Sequence, residues 1–89
     1  MSDTSDAVDI VVYTREQCHL CDEAEATIRE VAEDEGVPVD IELVDVDTDE
    51  ELREEYGERV PYVYVDGRPA FKFRVDPAQL REKLAAASP

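Results

Sequence analysis

The chain has 89 residues, enough for one domain, and its 43% hydrophobic content is ordinary for a globular core. It carries 24 acidic residues against 9 basic ones, a formal net charge of -15. A field of that sign repels phosphate backbones and anionic bilayers, which argues against nucleic acid and membrane as partners.

The acids are spread along most of the chain rather than gathered in a tail. Such an all-round solvated surface is of the halophilic type, where a Debye length of ~3 Å at about 1 M salt mutes self-repulsion. The alternative is an acidic docking face for a basic partner. The opening "MSDTSDAVD" has neither a basic nor an apolar stretch of the kind that makes a secretory signal, and no apolar run approaches the ~18 residues of a membrane span. A cytoplasmic location is expected. In that reducing compartment a close cysteine pair serves catalysis or metal binding rather than stapling.

Residues 1–7 read as a flexible acidic tail and 8–87 as a single domain. "VDIVVY" (8–13) is a β-branched run of the kind found in a strand covered on both faces. A helix is predicted from near Cys18 to Glu35, with Leu20, Ala24, Ile28 and Val31 at spacings of three and four. Gly36 supplies its stop and Pro38 prevents continuation. "VPVDIELVDV" (37–46) alternates Val39, Ile41 and Leu43 against Asp40 and Glu42, with a shift at Leu43-Val44 that marks a bulge or the strand's end.

Thr48 and Glu51 have the spacing of a capping box for a short helix that carries Leu52 and Tyr56 and ends at Gly57. "VPYVYV" (60–65) is a third strand, Asp66-Gly67 a hairpin turn, and "AFKFRV" (70–75) the returning strand. Asp76-Pro77 combines an N-cap with proline at the first helical position, and Leu80 and Leu84 anchor the last helix. The order is β-α-β-α-β-β-α, a mixed α/β domain with a right-handed parallel crossover and a closing antiparallel hairpin.

Both cysteines of the chain lie in "YTREQCHLCDEA" (13–24), two residues apart, where the first helix begins. A cysteine at a helix N-terminus is stabilised as thiolate by unpaired N–H groups, and the thiolate is the nucleophile of disulfide exchange. Cys18 occupies that terminus. Cys21, one turn further in, is placed to attack a mixed disulfide formed at Cys18. Two inert, packed cysteines are the bland alternative. Glu16, Asp22, Glu23 and Glu25 oppose a second anion nearby, while Arg15 and the helix end favour one. His19, between the cysteines, is either an exposed spacer or an imidazolium that favours the Cys18 thiolate. Copper carriers of the ferredoxin-like type also place a C-x-x-C after the first strand, but their order is β-α-β-β-α-β, which does not match.

A strand, a C-x-x-C opening a helix, Val60-Pro61 heading a third strand, a hairpin and a closing helix together resemble the thioredoxin fold. The short start and "YTREQCHLCDEA" resemble its glutaredoxin-like branch over about residues 8 to 87. That resemblance implies a four-stranded mixed sheet and a redox-active Cys18/Cys21 dithiol that reduces protein or small-molecule disulfides. It implies a cis Val60-Pro61 bond beside the cysteines, and X-Pro lowers the cis penalty to about 0.5–1 kcal/mol. The Val60 backbone would then be open to an extended substrate segment. A proline at the first position of an edge strand is the plainer reading.

Substrate contacts are expected at Val60, Pro61, Arg15 and His19. Arg59, Arg68 and Arg74 are further candidates for a carboxylate. Tyr13 and Tyr56 are expected to pack, with a substrate-facing Tyr13 as the alternative. Glutathione-using members of the family carry a Gly-Gly turn followed by an acid, whereas "FRVDPAQL" has no glycine pair and its Asp76 reads as a helix cap. No metal or organic cofactor is expected, the electrons coming from a low-molecular-weight thiol or a disulfide reductase, and the protein is expected to be a monomer. A different class is a metal or iron–sulfur carrier in which two chains share a site, since two thiolates per chain complete a four-sulfur shell only as a dimer or with an external thiol.

Overall fold

A computed structural model describes residues 7–87. The tail expected over 1–7 lies outside the described residues except for Ala7. In chain order the elements are β1 (Val8–Thr14), α1 (His19–Glu35), β2 (Val39–Asp45), a 3-10 turn (Val46–Thr48), α2 (Glu50–Tyr56), β3 (Tyr62–Val65), β4 (Arg68–Lys72) and α3 (Pro77–Ala87). The sheet runs β2-β1-β3-β4, with β1 and β2 parallel and the other neighbours antiparallel. This is the expected four-stranded mixed sheet.

One face of the sheet holds a dry core. Val8, Ile10 and Val12 of β1, Val63 and Val65 of β3 and Phe71 of β4 meet Ile28, Val31 and Ala32 of α1 and Leu80 and Leu84 of α3. The other face is only partly covered, contrary to the expectation for β1. Asp9 is exposed there, and Val11 and Tyr13 are half-buried. The reason is the brevity of α2, which has seven residues and buries none of them fully.

Local signals explain most element ends. Helix α1 closes on Gly36 at φ 66, where Gly36 N–H donates to Glu33 C=O and Val37 N–H to Ala32 C=O. That pair of bonds is a Schellman stop, which favours glycine in the left-handed region. Asp76 accepts the N–H groups of Ala78 (2.9 Å) and Gln79 (3.4 Å), so it caps α3 as expected. Asp66 and Gly67 have φ 55 and 79, the two positive angles of a type I′ hairpin.

Four further expectations are corrected. Leu43 is 48% exposed rather than inward with Val39 and Ile41, because β2 is an edge strand and, among the described residues, nothing covers that end of it. The β1–β2 register continues unbroken to Asp45, so there is no bulge at 43–44 and the irregularity falls instead between Val63 and Tyr64. The cap of α2 is Asp49, which accepts from Glu51 N–H (2.8 Å) and Leu52 N–H. Thr48 belongs to the 3-10 turn, its hydroxyl donating to Asp45 C=O at 2.8 Å. Finally, the last strand ends at Lys72, not 75, because Phe73 takes φ 72 and Arg74 N–H donates back to Lys72 C=O at 2.8 Å. That is a γ-turn with a positive central angle, a rare and strained form.

Candidate functional site: a cysteine pair at a helix start

The approach to α1 is a short turn. The chain leaves β1 at Thr14, passes through Gln17 at φ 58 and reaches Cys18 in an extended conformation, φ -110 and ψ 102. Cys18 is the N-cap of α1, and its Sγ accepts the Cys21 N–H at 3.1 Å. A sulfur thus stands where serine or aspartate oxygen usually does. The bond becomes charge-assisted once that sulfur is a thiolate.

The two sulfurs are joined in a disulfide, with Cα atoms 5.2 Å apart. Their exposure differs: Cys18 is half-buried, whereas Cys21 is 3% exposed. That asymmetry follows from helical geometry, since Cys21 shares the inward stripe with Ala24, Ile28 and Val31. Cys18 precedes the stripe and remains at the mouth. His19 is exposed at the first helical position.

The second part of the site comes from the start of β3. The Val60-Pro61 bond is cis, Pro61 is fully buried and Val60 half-buried. Tyr13 pairs with Tyr62, so the antiparallel register puts Pro61 level with Thr14, at the end of the sheet from which the chain runs into Cys18. Pro61 C=O accepts the Phe73 N–H at 2.8 Å. Among the described residues, neither the N–H nor the C=O of Val60 enters a hydrogen bond.

Arg15 sits on the approach turn, but its guanidinium is committed. Nε donates to Asp47 Oδ2 and Nη1 to Gly57 C=O, each at 3.0 Å, which ties the turn to the lead-in of α2 and to the residue that ends it. Arg59, Arg68 and Arg74 are all exposed. Arg68 lies beside the hairpin, level with Val65 and Ile10, and so at the opposite end of the sheet from the cysteines. Among the described residues no group of three or more His, Cys, Asp or Glu side chains is placed to hold a metal ion.

Beneath this end, on the open face, the four tyrosines gather. Tyr13 and Tyr56 stack with centroids 4.3 Å apart, Tyr64 meets Tyr13 edge-on at 5.8 Å, and Tyr62 meets Tyr56 edge-on at 5.2 Å. The Tyr56 and Tyr64 hydroxyls share a hydrogen bond of 3.1 Å. That bond, reinforced by burial, pushes the Tyr56 phenol well above its ordinary value. Tyr13 and Tyr56 therefore pack, as expected, but on each other rather than in the main core. Tyr62 and Tyr64 join them there without a role expected from the sequence. Period-two alternation in β3 set against Tyr13 would have placed them on one face. Phe73 was also missed, and the run "AFKFRV" carries no signal that would reveal it.

A β-α-β-α-β-β-α domain with a C-x-x-C at the first helix start and a cis X-Pro at the head of the third strand defines a thioredoxin-fold protein with a redox-type cysteine pair. More narrowly, the chain belongs to the family described as "Glutaredoxin-like domain (DUF836)", which it matches over residues 9–85. It is similar to the structure of target protein XcR50 from X. campestris, with 32% identity, 88% of this chain and 97% of that one covered, and a TM-score of 0.72. Protein Ne2328 from Nitrosomonas europaea is similar at 25% identity over 100% of both chains, with a TM-score of 0.72. The germline-specific thioredoxin Deadhead from Drosophila is similar at 25% identity over 93% of this chain and 83% of that one, with a TM-score of 0.59. No curated protein sequence matches.

Proposed function

We propose that the chain is a glutaredoxin-like thiol–disulfide oxidoreductase that reduces disulfides with the Cys18/Cys21 dithiol. The observation that carries this reading is the inequality of the two sulfurs: one caps a helix at the surface, and its partner is sealed one turn behind. The Cys18 thiolate attacks a substrate sulfur, forming a Cys18–substrate bond and releasing the first substrate thiolate, which takes up a proton. Cys21, after losing its proton, attacks the Cys18 sulfur. The Cys18–Cys21 bond forms and the second substrate thiolate leaves. Two electrons pass from the dithiol to the substrate.

In this reading the unpaired Val60 backbone beside Pro61 receives an extended substrate segment as an added strand would. The start of α1, which Cys18 caps, favours the thiolate against the neighbouring carboxylates of Glu16, Asp22 and Glu23. In the cytoplasm a low-molecular-weight thiol or a disulfide reductase restores the dithiol. The test is a pair of variants in a disulfide-reduction assay. Cys18→Ser is expected to fall to background, and Cys21→Ser to accumulate a mixed disulfide at Cys18, read by mass spectrometry. Full reductase activity in Cys18→Ser would overturn the assignment.

A further inference from the structure

Basic residues are scarce in this chain, 9 against 24 acids, yet two of them line one cavity far from the cysteines. The cavity lies between the β3–β4 hairpin and the last turns of α3 and holds about 340 Å³. The hairpin contributes Arg68 and the helix contributes Lys83, one cation from each wall. Asp66 is the one carboxylate among the described lining residues. The formal balance there is positive, whereas the chain as a whole stands at -15.

Neither cation is spent on a carboxylate. Among the described residues Arg15, Arg29 and Arg81 enter ion pairs, and Arg68 and Lys83 do not. For Lys83 the reason is local. The positions three and four away along α3 are Gln79, Leu80, Ala86 and Ala87, so no acid shares its stripe. Its ammonium lies 5.8 Å from the centroid of the Phe71 ring, a cation–π contact that holds the half-buried side chain against the hairpin. Arg68 stands exposed at the start of β4, opposite Val65.

The other walls are short and apolar: Val65, Pro69 and Ala70 from the hairpin, Ala86 and Ala87 from the helix. Size and charge together select a ligand. Small-molecule sites begin near ~300 Å³, so this cavity has room for more than an inorganic anion. A guanidinium matches a carboxylate with two parallel hydrogen bonds, and an ammonium adds a point charge. The carbonyl end of α3 disfavours an anion beside Ala87. The charge of a ligand therefore belongs at Arg68 and Lys83, and its apolar body against the alanines.

We infer that this cavity is a binding site for a small organic anion, a carboxylate on a short apolar body, held by Arg68 and Lys83. Arg68 is level with Val65 and Ile10, at the opposite end of the sheet from Cys18 and Pro61. The site is thus a second one, independent of the thiol–disulfide reading, and it can be filled while a disulfide substrate occupies the other end.

The probe is hexanoate, added to the full chain in its disulfide form and followed by amide NMR. Saturable shifts are expected at Val65, Arg68, Ala70, Lys83 and Ala86, with none at Cys18 or Leu20. Hexanol has the same body without the charge and is expected to bind about tenfold more weakly, the loss of one charge-assisted hydrogen bond. Sulfate has the charge without the body and is expected to be weaker than hexanoate as well. Arg68→Gln and Lys83→Gln lie outside the core and are each expected to weaken hexanoate, and the double variant to abolish its binding. Lys83→Arg keeps the charge and is expected to retain most of the affinity. Absence of saturable shifts at the cavity, equal affinity for hexanol or sulfate, or unchanged binding in the double variant would each overturn the site. Shifts centred on Cys18 would place the anion at the redox pair and overturn it too.

Discussion

The two faces of the sheet are built from different materials. The face under α1 and α3 is aliphatic apart from Phe71, and among the described residues no polar or charged side chain is buried. The face under α2 carries four tyrosines, a shared hydroxyl bond and the Arg15–Asp47 ion pair. The redox pair straddles this difference. Cys21 belongs to the dry side, and the turn that delivers Cys18 is tied to the polar side through Arg15. A rigid apolar layer fixes where the helix starts, and a hydrogen-bonded layer fixes how the chain reaches it.

The dry side is the more sensitive of the two faces. Leu84→Ala removes a fully buried side chain at the α3 contact. It is expected to lower the unfolding free energy by about 2–5 kcal/mol in a denaturant titration. Since small domains have only about 5–15 kcal/mol in all, this variant should be visibly less stable at ambient temperature. On the polar side Tyr64→Phe deletes one hydroxyl of the Tyr56 pair, and a loss of about 1 kcal/mol is expected in the same titration. Equal losses for the two variants would erase the distinction between the faces.

Alkaline pH sharpens the contrast further. The folded-state value of Tyr56 is raised above its ordinary 10.0, first by the hydrogen bond to Tyr64 and then by burial. Its neutral form is thus favoured by folding. That contribution is fully present below pH 10 and is lost as pH climbs from there through the folded value, because the unfolded chain releases the proton first. A denaturant midpoint that falls above pH 10 is expected, and the fall should be shallower in Tyr64→Phe. A midpoint with the same slope in both proteins would mean that the hydroxyl pair does not link folding to protons.

Much of the scaffold was legible in the residues because its signals are local. The Gly36 stop, the Asp76-Pro77 start and the Asp66-Gly67 turn are each written within three or four positions, and backbone sterics or a single cap set them. So was the place of Cys18 at the head of a helix, since the periodic stripe from Leu20 to Val31 determines where that helix starts.

What pattern reading could not supply depends on partners distant in sequence. Arg15 finds Asp47 and Gly57, 32 and 42 positions away, and no rule along the chain foretells that pairing. Leu43 continues a good strand alternation but faces open solvent, because its fate was decided by the absence of a neighbour beyond an edge strand. Phe73 continues one too, yet its amide is taken by Pro61, and that long-range bond together with the γ-turn at Lys72 turns the chain out of the sheet. Short-range backbone preferences set the order of the pieces; the candidate site arose only when the start of α1 and the cis-proline end of β3 came together at one end of the sheet.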